Sequence, residues 1–146
     1  MDFIVQRALP GDIENWMALV NLVQDNFPGL VIDEYRRIAE KNIARGSALC
    51  ARRDGRIIGV LLYSLHSRCL SCMAVHPDER GRGVGSAMVG EMLKAFPAGP
   101  IWVTTFREGD PKGAAPRALY RKFGFAEAEL TEEFGYPVQK FILNWA

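Results

Sequence analysis

The chain has 146 residues, and its 18 lysines and arginines nearly balance 17 acidic residues, for a net charge of +1. A chain of this length fits one domain that buries roughly two thirds of its unfolded surface. Such a balance provides no basic field for DNA or RNA, so we predict no nucleic-acid partner. No stretch approaches ~18 consecutive apolar residues, and the first residues lack the pattern of an export signal, so we expect a cytoplasmic protein without a membrane partner.

The first half of the chain changes from helical to strand patterns, with a turn residue at each change. Asp12 is suited to cap a helix start, and Gly46 stands where a helix C-cap belongs. The Asp54-Gly55 pair supplies the positive φ of a two-residue hairpin turn. The predicted elements are a strand over 3–7, helices over 13–27 and 33–46, and strands over 48–53 and 56–65.

The second half has one more strand before a glycine-rich loop and then alternates again. Pro116 suits the first turn of a helix, and Gly124 ends that helix. The predicted elements are strands over 68–75 and 101–106, helices over 84–96 and 116–123, and strands over 126–130 and 138–145. No repeat or linker interrupts this order, so we predict a single α+β domain over 1–146, built on a mixed sheet.

The loop HPDERGRGVG places Gly81, Gly83 and Gly85 at alternate positions just before a helical pattern. Glycine permits positive φ and close approach to the backbone. The first turn of a helix carries unpaired N–H groups and the positive end of the helix dipole. With Arg80 and Arg82 beside it, the loop fits a phosphate or pyrophosphate, and a plain glycine-rich turn is the alternative.

Three cysteines, Cys50, Cys69 and Cys72, are an odd number for a disulfide framework. The pair Cys69 and Cys72 lies within a predicted strand, where side chains three residues apart point to opposite faces. These two thiols therefore cannot share a metal ion or easily bond to each other. We expect buried, inert cysteines and no metal site.

Two segments in this order, MAVHPDERGRGVGSAMV and ALYRKFGF, resemble the GCN5-related N-acetyltransferase (GNAT) family. The pyrophosphate loop of that family matches Arg80, Gly83 and Gly85. A later family marker matches Leu119-Tyr120 and Gly124-Phe125. The resemblance covers roughly residues 3 to 145 in element order, and the two motifs together are more specific than either alone.

This resemblance implies a mixed sheet of about seven strands flanked by helices, with a splayed cleft between the fourth and fifth strands. It implies acetyl-coenzyme A as co-substrate, with no metal, and a pantetheine arm that adds to the cleft like an extra strand. Backbone N–H groups of the fourth strand would also stabilise the carbonyl oxygen. The cofactor-binding residues implied are Met73, Ala74, Val75, Arg80, Gly81, Arg82, Gly83, Val84, Gly85 and Ser86.

The activity implied is transfer of the acetyl group to a primary amine of an unidentified small molecule or peptide, by direct attack in a ternary complex. Tyr120 resembles the family's general acid, since a phenol of pKa about 10 is a reasonable donor to a departing thiolate. The family often has a glutamate that acts as general base at the positions that Ser71 and Cys69 occupy here. The base is left open between a water chain, a backbone carbonyl, Glu108 and Asp110.

Three further residues bear on the predicted site. His66 lies in a hairpin turn nine residues from the end of the strand, roughly 30 Å away, which excludes it from catalysis. His76 is expected in a surface loop. Gly113 stands where the family often has an asparagine, which removes one cofactor contact.

An aromatic wall is expected to hold the acceptor, and the family pattern allows a homodimer. The predicted substrate-binding residues are Phe27, Leu30, Tyr63 and Tyr136, with Tyr35 and Phe134 nearby. An alternative function is a non-catalytic acyl-coenzyme A sensor or partner-binding module on the same fold. A dinucleotide-binding oxidoreductase ranks last, because the segment WVTTF lacks the acidic residue that such a fingerprint expects.

Overall fold

The computed structural model describes residues 2–146 and contains four helices and seven strands in the order that the sequence predicts. The helices are α1 (Ile13–Leu22), α2 (Ile32–Arg45), α3 (Val84–Leu93) and α4 (Ala114–Lys122). The strands are β1 (Ile4–Arg7), β2 (Ala48–Arg53), β3 (Arg56–Ser64), β4 (Cys69–Val75), β5 (Gly99–Phe106), β6 (Ala126–Glu133) and β7 (Tyr136–Trp145).

The largest differences from the predicted boundaries lie at the ends of α1, α3 and β6. Helix α1 stops at Leu22 because the chain tightens into a short 3-10 turn, in which the Gln24 side chain donates to the Asn21 carbonyl oxygen (3.2 Å). Helix α3 ends at Leu93, because the next residues form tighter bonds, from Ala95 N–H to Met92 O (3.0 Å) and from Phe96 N–H to Leu93 O (3.1 Å). Strand β6 continues to Glu133, since a turn with positive φ at Phe134 and Gly135 joins it to β7. Its polar, exposed residues hide the strand pattern.

All seven strands form one sheet in the order β1-β2-β3-β4-β5-β7-β6. Neighbours are antiparallel except β4 and β5, which run parallel and make the sheet mixed. Within residues 2–146, β4 and β5 pair in register only at Cys69 and Trp102. Beyond that pair the two strands separate, which confirms the predicted splayed cleft.

Helices cover both faces of the sheet and enclose two apolar clusters. Helices α1 and α2 pack on one face around the fully buried Trp16, and α3 packs on the other face with Met88 buried. Gly59 of β3 lets α3 lie close, because a Cβ there would sit 2.9 Å from both Met88 Cε and Val84 Cγ1. This contact fixes the start of α3 against the sheet.

Strand β4 contains a bulge that the sequence analysis missed. Leu62 of β3 pairs with Cys72 and Tyr63 pairs with Leu70, so Ser71 is an extra residue in β4. Leu70 therefore packs on the α3 side while Cys72 packs on the α1 and α2 side. The expectation that Cys69 and Cys72 point to opposite faces is wrong, because it assumed a regular strand.

The three cysteines are free thiols. In the part of the chain that the structure describes, none of the helices has the length and apolar character needed to cross a membrane. Residues 2–146 also contain no group of three or more His, Cys, Asp or Glu side chains arranged to hold a metal ion.

Candidate active site

The separation of β4 from β5 opens a cleft of about 910 Å³. One end is formed by the loop from Glu79 to Ser86, which we call the glycine loop. The other end is formed by the α1–α2 connection and the turn between β6 and β7. The cleft therefore brings together segments that are more than fifty residues apart in the chain.

The glycine loop has the conformation that an anion site requires. Gly81 and Gly83 have φ values of 76° and 83°, in the left-handed region, and Gly83 caps the N-terminus of α3. Ala87 N–H makes the first bond of this end, to Gly83 O (3.0 Å), so the amides just before it have no helical partners. Arg80 lines the cleft and forms no ion pair with any of residues 2–146.

Gly85 is explained differently from the other two glycines. It lies in the first turn of α3, and a Cβ there would be 3.2 Å from Leu119 Cδ2 of α4. The missing side chain thus allows α3 and α4 to pack closely at the cleft. Helix packing is therefore a second reason for glycine at this position, beside the close approach of a ligand expected from the sequence.

A buried ion pair holds the glycine loop on the sheet, and the sequence analysis did not find it. Glu79 is 4% exposed and accepts a hydrogen bond from Arg53 Nη2 of β2. Arg82 Nη1 lies 3.8 Å from the other Glu79 oxygen. Arg82 is therefore drawn to the loop's own carboxylate and, unlike Arg80, does not line the cleft.

The β4 edge of the cleft offers backbone groups. Met73 pairs with Leu61 of β3 and Val75 with Gly59, so one edge of β4 is used by β3. Because β5 has already separated, the other edge of this segment faces the cleft. The structure places Met73, Ala74 and Val75 along the cleft and beside the glycine loop.

Tyr120 of α4 lines the cleft although its side chain is only 4% exposed. Its ring packs against Phe125 and Phe141, with centroid distances of 5.7 and 6.2 Å. Burial, together with the nearby Cys72 thiol, raises the pKa of Tyr120 above that of a free phenol. The hydroxyl therefore stays protonated at physiological pH, and the same raised pKa makes it a weaker acid than a free phenol.

A row of three polar side-chain groups in contact leads to the cleft from the α1 and α2 side. Trp16 Nε1 donates to Tyr35 OH (3.0 Å), and Tyr35 OH lies 3.4 Å from Cys72 Sγ. Burial raises the pKa of Cys72 to about 11 and also raises the pKa of Tyr35. Cys72 is therefore a neutral thiol, consistent with the expected inert cysteine, although it lines the cleft.

The aromatic wall forms with one exception. Phe27, Leu30 and Tyr136 line the cleft, as do Tyr35 and Phe134. Tyr63 does not, so its assignment to the acceptor wall is wrong. Its ring packs on Phe96 at a centroid distance of 5.8 Å on the α3 side, and its hydroxyl donates to the Gly46 carbonyl oxygen (3.2 Å).

Three loops meet over the aromatic end of the cleft. Phe134 lies against Gly29, where a Cβ would be 2.5 Å from Phe134 Cβ. Lys112 Nζ, from the loop before α4, donates to the Asp25 carbonyl oxygen (2.8 Å). The turn between β6 and β7 and the loop before α4 thus both contact the α1–α2 connection and narrow this end.

Neither acidic residue considered as a base from the sequence lines the cleft. Glu108 and Asp110 lie in the loop after β5, and Asp110 accepts a hydrogen bond from Tyr136 OH (2.7 Å). This bond, with one from Lys112 N–H, lowers the pKa of Asp110. The carboxylates at the aromatic end are instead Glu34 and Glu133, which the sequence analysis did not select.

The remaining candidates lie where their local sequence suggests. His66 is in the turn between β3 and β4, and His76 accepts the Asp78 N–H (3.1 Å) through Nδ1, both outside the cleft. Gly113 is required by close packing, since a Cβ there would lie 3.0 Å from Phe106 Cβ. Ser71, at the bulge of β4, lines the cleft.

The sequence of this chain matches those of known proteins. The sequence model described as Acetyltransferase (GNAT) domain matches residues 44–127, which are 84 of the 146 residues. A mycothiol acetyltransferase of Frankia casuarinae is 33% identical over 101 residues, which are 68% of this chain and 29% of that protein. The chain thus spans less than a third of the length of that relative.

Solved structures show the same fold over nearly the whole chain. A GNAT-family acetyltransferase of Bacillus cereus has a TM-score of 0.78 at 21% identity, covering 99% of this chain and 98% of that one. A putative acetyltransferase of Salmonella typhimurium, determined with acetyl-CoA, has a TM-score of 0.73 at 13% identity, covering 100% and 95%. Because the family model covers more than half of its residues, this chain belongs to the GNAT acetyltransferase family, whose co-substrate is acetyl-coenzyme A.

Proposed function

We propose that the protein transfers the acetyl group of acetyl-coenzyme A to a primary amine of a small molecule or peptide, by direct attack in a ternary complex. The observation that carries this proposal is the split between β4 and β5, with a helix N-terminus at one end and the protonated Tyr120 beside it. Family membership supports the acetyl donor.

The glycine loop fits the pyrophosphate of the donor. The unpaired amides of the first turn of α3, from residues 81–86, supply N–H donors, and Arg80 supplies a positive charge. Arg82 contributes its charge from outside the cleft, next to Glu79. The open edge of β4, at Met73, Ala74 and Val75, would hold the pantetheine arm by backbone hydrogen bonds.

The donor supplies an activated acetyl group, and the chain's residues would assist its transfer. Backbone N–H groups of Met73 to Val75 stabilise the negative charge that develops on the carbonyl oxygen. As the carbon–nitrogen bond forms and the carbon–sulfur bond breaks, Tyr120 gives its hydroxyl proton to the departing sulfur. Tyr120 then recovers a proton from water that enters the cleft.

A non-catalytic sensor would bind acyl-coenzyme A without needing a hydroxyl donor in the cleft. The position of Tyr120 therefore favours catalysis. Neutral Cys72 also argues against an acetylated cysteine, since the thiolate is the nucleophilic form and the pKa is about 11. Direct attack by the amine needs no such covalent step.

The proposal is tested by incubating the purified protein with acetyl-coenzyme A and a panel of primary amines. Release of free thiol is followed with a thiol reagent, and the acetylated amine is identified by mass spectrometry. Amine-dependent release at equal rates of thiol and product supports the function. Tight binding of acetyl-coenzyme A without release for any amine would indicate the sensor instead.

A further inference from the structure

The aromatic end of the cleft contains two carboxylates, Glu34 and Glu133, that form no ion pair with any residue in the range 2–146. The third carboxylate of the cleft, Glu79, is already paired with Arg53 at the opposite end. A primary amine is an ammonium ion at neutral pH, since its pKa is near that of lysine. An unpaired carboxylate in the cleft is a direct partner for it.

Glu133 is the better placed of the two, because another side chain orients it over the split. Thr104 Oγ1 of β5 donates to Glu133 Oε1. Thr104 lies two residues beyond Trp102, the point where β5 leaves β4. Because the strands are parallel and rise ~3.3 Å per residue, Thr104 lies at the same height along the cleft as Ser71 and Cys72 of β4. These residues come just before Met73, Ala74 and Val75, which would hold the donor.

Glu133 and Tyr120 lie on opposite faces of the sheet. Val103 packs in the cluster that contains Tyr120, so the next residue, Thr104, points to the other face. Cys72, whose thiol is close enough to contribute to the raised pKa of Tyr120, packs on the α1 and α2 side. An amine held at Glu133 would therefore reach the thioester from the side opposite the proton donor.

The surroundings of Glu133 define the rest of the acceptor. Phe27, Leu30 and Tyr136 supply apolar surface in the same part of the cleft. The contact of Phe134 with Gly29 narrows the opening, which disfavours a folded protein surface. A small ammonium ion with an aromatic or alkyl group fits both features.

We propose that Glu133 binds the ammonium group of the acceptor and accepts its proton, and that the acceptor is a small primary amine bearing one apolar group. The proposal deepens the function given above and rests on it. Glu133 takes one proton from the ammonium and releases it to water, and the nitrogen loses its second proton to solvent as the amide forms. Coenzyme A leaves as the thiol with the proton of Tyr120, so one net proton is released per acetylation.

The test uses 2-phenylethylamine with wild type and Glu133→Gln, and Glu132→Gln as the matched control. Glu132 carries the same charge one residue earlier but does not line the cleft. We expect Glu133→Gln to lower kcat/KM for the amine by about tenfold or more, the scale of a hydrogen bond to a charged group, with KM for acetyl-coenzyme A unchanged. Glu132→Gln should remain within about twofold of wild type.

A pH series separates this role from a structural one. As pH rises towards the pKa of the amine, more substrate arrives neutral, so the deficit of Glu133→Gln should shrink between about pH 7 and 9. A constant deficit, or equal deficits for both glutamine variants, would overturn the proposal. A preference for putrescine that Glu34→Gln abolishes would overturn the monoamine assignment.

Binding distinguishes failure of this inference from failure of the proposed function. Isothermal titration of 2-phenylethylamine into the protein saturated with coenzyme A needs no turnover, and 2-phenylethanol serves as the uncharged analogue. Amine binding that is weakened about tenfold by Glu133→Gln, while the alcohol is unaffected, supports the inference even if no thiol is released. Thiol release that is insensitive to Glu133→Gln overturns the inference and leaves the acetyltransferase function standing.

Discussion

The two ends of the cleft are built from different kinds of chemical group. The glycine loop end presents main-chain N–H groups, held by Gly83 at the start of α3 and by the buried Glu79–Arg53 pair. The aromatic end presents side chains from three separate loops, with Glu133 and Phe134 at its turn. Main-chain groups are the same in any sequence of the right conformation, whereas side chains change with every substitution.

This difference separates what is common to the family from what is specific to this protein. The main-chain end depends on a glycine pattern and on the Glu79–Arg53 pair, and the ligand that we propose there is the family's shared donor. The aromatic end needs Thr104, Glu133 and Gly29 to come together from distant parts of the chain. Variants of each end should therefore change different kinetic constants, and the following measurements test that separation.

The largest effect is expected at Tyr120, which lines the cleft. Tyr120→Phe keeps the ring packed against Phe125 and Phe141 and removes only the donor. Because general acid catalysis contributes ~10²–10⁴-fold, turnover should fall by about a hundredfold with both Michaelis constants little changed. Steady-state kinetics with any accepted amine measures this. Turnover within about twofold of wild type would make Tyr120 a packing residue.

At the main-chain end, Gly83→Ala should raise KM for acetyl-coenzyme A by about tenfold, because an L-residue is strained at the φ of 83° that orients the first amides of α3. KM for the amine should not change. Gly90→Ala is the matched control, since Gly90 lies within α3 and a Cβ there has open space. An equal rise in both Michaelis constants would show that the two ends are not independent.

Gly85→Ala tests a different cause at the same loop. Its Cβ would press on Leu119 Cδ2 at 3.2 Å, so the variant should lower the melting temperature as well as weaken donor binding. Adding Leu119→Ala should recover much of the donor binding, since it removes the atom in contact. If the double variant binds the donor no better than Gly85→Ala, ligand approach rather than helix packing requires this glycine.

Much of the fold was predictable because local signals agreed with it. The change from helical to strand periodicity gave the element order, and the Asp54-Gly55 turn has the positive φ expected at both residues. The positive φ of the glycine loop was predicted for the same reason, since glycine permits it locally, whereas the Glu79–Arg53 pair that holds the loop joins residues far apart in the sequence. Tyr120 was also placed in the cleft, through the match of ALYRKFGF to the family marker.

The errors occur where side-chain direction depends on distant contacts. The apolar run RIIGVLLYS is buried on both faces, so no alternation shows that Leu62 faces α1 and α2 while Tyr63 faces α3. The bulge at Ser71 reverses the faces within β4 without a glycine or proline to mark it. Glu133 was missed because β6 is polar and exposed, so its end and the following turn were not recognised.

Alkaline pH should lower the stability of the folded protein, through buried groups of the cleft that lie at neither end in particular. Folding raises the pKa of Cys72 from 9.0 to about 11, and those of Tyr35 and Tyr120 also rise. Between pH 9 and 11 the unfolded chain has lost thiol protons that the folded chain keeps, so stability is full below pH 9 and falls as pH rises.

The loss attributable to Cys72 is on the order of 3 kcal/mol across that window, since the shift from 9.0 to about 11 is two pKa units and each corresponds to about 1.4 kcal/mol. Denaturant unfolding at a series of pH values measures it, and Cys72→Ala should give a flatter slope than wild type. The same burial predicts slow alkylation of Cys72 at pH 8 in the folded protein. Rapid alkylation there would mean that the thiol is more exposed to solvent than its packing indicates.

The smallest effect is expected at Phe134, on the aromatic end. Its ring is 82% exposed, so Phe134→Ala should change stability little, although the residue contacts Gly29 across the opening. Removing the ring widens the opening and removes part of the apolar wall. We expect KM for 2-phenylethylamine to rise about two- to threefold, the scale of a partly exposed apolar contact, with KM for acetyl-coenzyme A unchanged.

Phe134→Ala should bind the small amine more weakly but accept a wider range of amine sizes. A wider opening admits larger amines, so a lysine within a short peptide should improve relative to 2-phenylethylamine in Phe134→Ala. Leu130→Ala is the control, because Leu130 is also an exposed apolar side chain of β6 but does not line the cleft. If both variants shift the ratio equally, the change reflects the hairpin as a whole. If only Phe134→Ala shifts it, the contact between two distant loops sets acceptor size, and donor binding at the glycine loop remains separate from it.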